Sequence, residues 1–256
     1  MSANQLQSFL SLLRLIKDTG AGNAPSTLFR AWTGIESPPT SMVVKLAAYV
    51  IEQAEATEAY IKATQLSEEA KQGLLETATS LKTAFELQHL AGNAISGFLP
   101  ALDTAISQYA ILISAAGLDQ VAPPTSEIAD LVSDLNKFAE ELGKAELDPL
   151  VRETAERHVA VLKVLLQNVG ALGVEAALAA YSELVFRLRS ADLTGSEKSR
   201  HTMSTLWPEV ERWAGRLTII DQAYTRGGHL LGHLGGAAKL LLTHLPALPP
   251  IPGITG

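Results

Sequence analysis

The sequence predicts an all-α fold, a multi-helix bundle of about seven to nine helices. Apolar residues recur at spacings of three and four along most of the chain, as they do on the buried faces of helices. Alanine and leucine dominate the composition, and both suit helices. No Asn-Gly or Asp-Gly hairpin turn and no useful alternating run of β-branched or aromatic residues is present. We therefore expect essentially no sheet.

The first third of the chain predicts four helical segments. A helix is expected over residues 3–18, and a short one over 25–32 starts with proline, which favours the first helical position. Residues 37–40 contain two prolines and break the helical pattern, because proline lacks an N–H donor. A long helix follows over 41–63. Ser67 and the two glutamates after it predict the N-terminus of the fourth helix, since a hydroxyl and carboxylates favour that end.

The middle of the chain predicts a helix that opens near residue 96 and one over 126–142, separated by a Pro-Pro linker. Asp148 and Pro149 then form a strong start signal, an N-cap followed by proline in the first helical position. The longest helical pattern begins there and is expected to continue as one long helix over about 149–189.

Two glycines, Gly170 and Gly173, interrupt this long pattern. Glycine inside an exposed helix costs about 1 kcal/mol relative to alanine, so the pair indicates either a kink or the close approach of another helix. Beyond residue 194 we expect a polar loop, a helix that Pro208 starts or kinks, and a last helix over 227–245.

These elements suggest four regions. Residues 1–40 form an N-terminal helix and a short helical arm, and residues 41–145 form a first helical half. Residues 146–245 form a second half that is expected to pack on the first as one domain. Residues 246–256 contain four prolines and predict an extended tail.

Composition narrows the class of function. The 256 residues are 47% hydrophobic but only 18% charged, against about 25% charged in an ordinary soluble domain. The net charge of -7 argues against nucleic-acid binding, which requires a surplus of cations. The absence of cysteine excludes disulfides, thiolate nucleophiles and Cys-ligated zinc.

Targeting and membrane signals are weak. Residues 1–20 lack the basic start and small-residue cleavage site of a signal peptide, so we expect a cytoplasmic protein, with membrane association as the alternative. No uninterrupted run of 18 or more apolar residues is present. Three stretches carry few charges, residues 94–118, 158–180 and 227–256, and they are interpreted as central helices of the bundle or as helices that meet lipid or a partner.

The sequence contains no complete catalytic or cofactor-binding motif. The sequence contains no GxSxG elbow, the glycines of segment 20–24 fit neither nucleotide-binding pattern, and only one ExxH pair is present, at Glu86 and His89. Glu52, Glu55 and Glu58 are interpreted as a solvated helix face, and the three tryptophans as packing residues. We therefore predict no cofactor and favour a protein that is not an enzyme.

The predicted last helix holds the most unusual pattern. His229, His233 and His244 share one face at about 100° per residue, and they are interpreted as an ordinary amphipathic face, a pH-responsive stripe or, for the first two, a metal-binding pair. Small residues let another backbone approach closely. The candidate interaction residues are Gly228, Gly232, Gly235 and Gly236 beside these histidines, with Gly170 and Gly173 as the matching surface on the long helix.

Two functions follow as expectations. The first is a non-enzymatic helical protein that acts by association with another protein or with itself, because its apolar content is high and its charge is low. The alternative is a membrane-acting helical effector, pore-forming or toxin-like, that is kept soluble until triggered. Its basis is the nearly uncharged segments and the glycine pattern near the C-terminus.

Overall fold

A computed structural model of the chain describes residues 3–115, 125–194 and 196–225. Within these ranges it contains ten α-helices and no strand, which confirms the all-α bundle. The side chains of residues 3–5, 191–194, 198, 199, 224 and 225 are not described. The helices are α1 (Ala3–Thr19), α2 (Pro25–Thr33), α3 (Thr40–Ala63), α4 (Glu68–Ala84), α5 (Leu102–Ala115), α6 (Thr125–Lys144), α7 (Pro149–Gln167), α8 (Val169–Leu172), α9 (Val174–Thr194) and α10 (Glu197–Thr225).

The predicted N-terminal signals are confirmed at two helices. The Ser67 hydroxyl accepts a hydrogen bond from the backbone N–H of Ala70 at 3.3 Å at the start of α4. The Asp148 carboxylate accepts one from the N–H of Leu150 at 2.9 Å, with Pro149 as the first residue of α7. Each bond satisfies one of the backbone donors that a helix leaves free at its N-terminus.

The single long helix predicted over 149–189 is wrong. That segment forms three helices, α7, α8 and α9, and the last break falls at Gly173. Gly173 has φ +82° and ψ 157°, a conformation that residues with a side chain rarely adopt. A Cβ atom placed there would lie 2.8 Å from the Glu175 carboxylate. The glycine therefore forms a sharp joint that reverses the chain.

Two helix starts also differ from the prediction. The helix expected from residue 96 begins at Leu102, after a short 3₁₀ turn over Ile95–Gly97. The loop expected over 194–200 is mostly helical, because α10 begins at Glu197 and continues through Pro208. Met203 and Leu206 precede the proline and are buried, so the apolar face of α10 begins before Pro208. Burial of this face offsets the free energy lost with the backbone hydrogen bond that Pro208 cannot donate.

The core is one continuous cluster with α1 near its centre. Leu6, Phe9, Leu13 and Ile16 of α1 are fully buried, and α1 packs against α3, α5 and α8. The members of this cluster extend along the sequence from Leu6 in α1 to Ile220 in α10. The three tryptophans, interpreted from the sequence as packing residues, are buried. The core also includes Ile113, Leu131, Leu135, Leu162, Leu165 and Val169.

The structure tests the membrane prediction only for the helices that it describes. No described helix combines the length and the apolar content that a membrane crossing needs. Residues 227–256, which carry the strongest membrane-like pattern, lie outside the described part of the chain.

Candidate functional site

A cavity of about 290 Å³ lies between α3, α7 and α9. Helices α7 and α9 run antiparallel, joined by α8 and the turn at Gly173, and α3 lies alongside them. Two contacts place α3 against α9. The Lys45 ammonium lies 3.3 Å from the Glu183 carboxylate, and the Tyr49 hydroxyl lies 3.4 Å from the carbonyl oxygen of Glu175. The cavity is thus a gap at a junction of three helices.

One part of the cavity wall is apolar. The side chains of Met42 and Leu46 on α3, Val161 and Leu165 on α7, and Ala176 on α9 are buried and line the space. These residues occupy the inward faces of their helices, at the helical spacings that the sequence shows. Alanines at positions 176, 179 and 180 leave the room that larger side chains on α9 would fill.

The other part of the wall is polar and mainly cationic. The Glu183 carboxylate is 2.8 Å from the guanidinium of Arg187 and 3.3 Å from the Lys45 ammonium. Burial disfavours ionisation of Glu183, but the hydrogen bond from Arg187 and the charge of Lys45 outweigh it, so the pKa of Glu183 lies below its usual value. Arg157 also lines the cavity and pairs with Glu153 at 2.8 Å.

His158 lies in the middle of these charges. Burial is the main reason that its pKa is lowered, and the positive charges of Arg187, Arg157 and Lys45 lower it further. Glu183 acts in the opposite direction. The half-buried imidazole is therefore kept neutral at physiological pH in a positive local field.

The Tyr49 end of the cavity has the opposite electrostatic character. Burial raises the pKa of Tyr49 to about 12, and the nearby Glu52 and Glu175 contribute. The phenol therefore stays neutral and can donate or accept a hydrogen bond. The positive charge of the lining is therefore concentrated at one end of the cavity, whereas Glu52 and Glu175 lie near the other end but outside the lining.

This arrangement is suited to binding. In the described residues, no group of three or more His, Asp or Glu side chains could hold a metal ion. The cavity offers an apolar wall, hydrogen-bonding groups and a surplus of positive charge, which are the features of a site for a small ligand.

The residues predicted from the sequence as an interaction site fall in two groups. Gly228, His229, Gly232, His233, Gly235, Gly236 and His244 lie outside the described residues, so their role stays a prediction. Gly170 lies in α8 and is half-buried, whereas Gly173 forms the joint before α9. A contact of these two glycines with the C-terminal segment likewise stays a prediction.

Sequence reasoning did not single out the cavity residues. A local signal existed for Glu183 and Arg187, which are four residues apart on one helix face. The pairing of Lys45 with Glu183 joins positions 138 residues apart, and no local pattern predicts it.

Similarity to known proteins does not assign a function to this cavity. Comparisons with protein-family models, with curated proteins and with solved structures found no match. The functional proposals therefore depend on the residues of this chain alone.

Proposed function

We propose that the chain is a non-enzymatic protein that acts by association, with another protein or with a second copy of itself. The observation that carries this proposal is a pair of exposed apolar side chains beside the cationic cavity. Leu150 of α7 is 72% exposed and Phe186 of α9 is 57% exposed. Large exposed apolar residues next to a polar site are typical of interaction surfaces.

Helix geometry places both residues on the cavity side of their helices. Leu150 lies one turn before Thr154, which lines the cavity. Phe186 lies seven residues after Ala179, another lining residue, so these two share a helix face. We refer to Leu150, Phe186 and the cavity opening together as the association face.

Charge favours a second copy as a partner. The chain has a net charge of -7, whereas the lining of the cavity in the association face holds three cations, Lys45, Arg157 and Arg187, against one acid, Glu183. A cationic face on an acidic protein attracts the acidic surface of another copy and favours encounter at low salt.

Sedimentation velocity tests self-association directly. We expect the wild-type chain to form dimers or larger species as its concentration rises. The double variant with Leu150→Ser and Phe186→Ser should remain monomeric. Leu87→Ser is the matched control, because Leu87 is 70% exposed on a 3₁₀ turn outside the association face. A wild-type chain that remains monomeric at every concentration would exclude a second copy as the partner.

The membrane-acting alternative remains a second proposal. Its support is the nearly uncharged segment 227–256, with glycines at positions 228, 232, 235 and 236. Small residues at this spacing let helices pack closely in lipid. A liposome leakage assay tests it, with Gly232→Leu expected to abolish leakage while the melting temperature stays nearly unchanged. A wild-type chain that does not release liposome contents under any trigger would contradict this alternative.

A further inference from the structure

We propose that the cavity between α3, α7 and α9 binds a small amphipathic monocarboxylate, of the size of a medium-chain fatty acid. Its carboxylate lies among Lys45, Arg157 and Arg187, and its alkyl chain lies against Leu46 and Leu165. This ligand site goes beyond the proposed association and does not depend on it.

The volume of the cavity sets the size of the ligand. A buried apolar cavity of about 150 Å³ accommodates benzene. The space here is about 290 Å³, which by the same proportion holds roughly a dozen non-hydrogen atoms. Decanoate has that size, whereas a long-chain fatty acid exceeds it.

The shape of the cavity favours a chain over a compact ring. Its lining extends from Pro39, the residue before α3, to Tyr49 within α3, which corresponds to about 15 Å at the rise of an α-helix. Along α7 it extends from Thr154 to Leu165, a similar length. A space this long and this small in volume is narrow, and an extended alkyl chain fills such a space.

The distribution of charge sets the orientation of the ligand. Arg157, Arg187 and Lys45 surround His158, whereas Glu52 and Glu175 lie near Tyr49. An anion is attracted to the first group and repelled by the second. The carboxylate therefore points towards the arginines, and the chain extends along the apolar wall towards Tyr49.

The balance of charge favours a single negative charge on the ligand. Of the three cations in the lining, one is offset by Glu183, which also lines the cavity. Another is offset by Glu153, which pairs with Arg157 and is largely exposed to solvent. One positive charge remains unbalanced, and a monocarboxylate neutralises it, whereas a phosphate dianion leaves an excess of negative charge.

Isothermal titration calorimetry on the full chain tests the site, with decanoate as the probe below its micelle concentration. We expect saturable binding with one decanoate per chain. Decanol, which has the chain without the charge, and acetate, which has the charge without the chain, should each bind at least tenfold more weakly. Equal binding of decanol or of acetate would overturn the proposal, as would no binding of decanoate.

Two variants locate the binding site. Arg157→Gln should weaken decanoate binding by about tenfold, the loss expected for one charge-assisted hydrogen bond. Arg212→Gln is the matched control, because Arg212 forms a comparable surface pair with Glu209 at 2.9 Å on α10, away from the cavity. Both arginines are about half exposed, so neither change should prevent folding. Equal effects of the two variants would overturn the assignment to this cavity.

A third variant tests the alkyl-chain position. Ala180→Leu fills the apolar part of the space and should abolish decanoate binding, with helicity checked by circular dichroism. If this variant does not fold, Ala179→Val provides a smaller filling of the same wall, and unchanged affinity in the folded variant would overturn the proposal. Because self-association is measured by sedimentation and ligand binding by calorimetry, either proposal can fail while the other holds.

Discussion

Two carboxylates on neighbouring helices meet opposite electrostatic surroundings. Burial disfavours ionisation of both, but Glu183 has Arg187 and Lys45 beside it, and its pKa is lowered. Asp221 on α10 is only 5% exposed, and burial together with the charge of Glu175 raises its pKa to about 6. Glu183 therefore stabilises the bundle as an anion, whereas Asp221 opposes folding when it is ionised.

Asp221 makes stability depend on pH. Its folded-state pKa of about 6 lies above the ordinary value of 3.8, so its contribution is fully present below pH 3.8 and is lost as pH rises through 6. Asp221→Asn should therefore stabilise the chain at pH 8 by about 1–2 kcal/mol, after allowance for solvent screening. The gain should vanish near pH 4. Urea unfolding at the two pH values measures it, and an equal gain at both would contradict the prediction.

Truncation of a core residue should cost far more than truncation of a surface carboxylate. Leu165 is 3% exposed, so Leu165→Ala should lower the free energy of unfolding by about 2–5 kcal/mol. Glu55 is exposed on α3, so Glu55→Ala should change it by less than about 0.5 kcal/mol. Thermal melts of the two variants measure these effects, and the reverse order would show that the helix faces are misassigned.

At the scale of elements, local signals predicted where most helices begin. Ser67 and Asp148 act through bonds to N–H groups two or three residues away, so their effect can be predicted from the sequence. The joint at Gly173 could be anticipated as a kink but not as a chain reversal, because its φ depends on the packing of α8 and α9 around it. The cavity was not predicted at all, since it depends on the approach of three helices that are distant in sequence.

Two glycine substitutions should change stability in opposite directions. Gly173→Ala should lower the free energy of unfolding by about 1–3 kcal/mol, because a side chain is strained at φ +82°. Gly215→Ala should raise it by about 0.5–1 kcal/mol, because Gly215 is an exposed position inside α10 with no atom near its absent Cβ. Urea unfolding provides the comparison, and stabilisation by Gly173→Ala would show that the joint is not strained.

At the scale of the whole molecule, α1 connects helices from both predicted halves. It packs against α3 and α5, which precede residue 145, and against α8, which follows it. Helix α2 similarly packs against α3 and α7. Contacts of this kind are expected to couple the stability of the helices that they join, and the packing of residues 146–245 on residues 41–145 as one domain stays a prediction.

Tryptophan fluorescence can test this coupling. Trp32 of α2 and Trp213 of α10 are both buried, and each can be kept as the sole tryptophan by changing the others to phenylalanine. In each variant, the urea midpoint from fluorescence should equal the midpoint from circular dichroism. Adding Leu13→Ala, a change in α1, should lower both midpoints together. A Trp32 transition well separated from that of Trp213 would show that the N-terminal helices and the second half unfold independently.

The central place of α1 also affects synthesis of the chain. About 150 residues separate the end of α1 from the start of α8, which at roughly 5–20 residues per second corresponds to about 8–30 s of translation. During that interval α3 and later α5 can cover part of α1, but the surface that meets α8 remains exposed to water. The nascent chain therefore exposes part of the apolar face of α1 until α8 has left the ribosome.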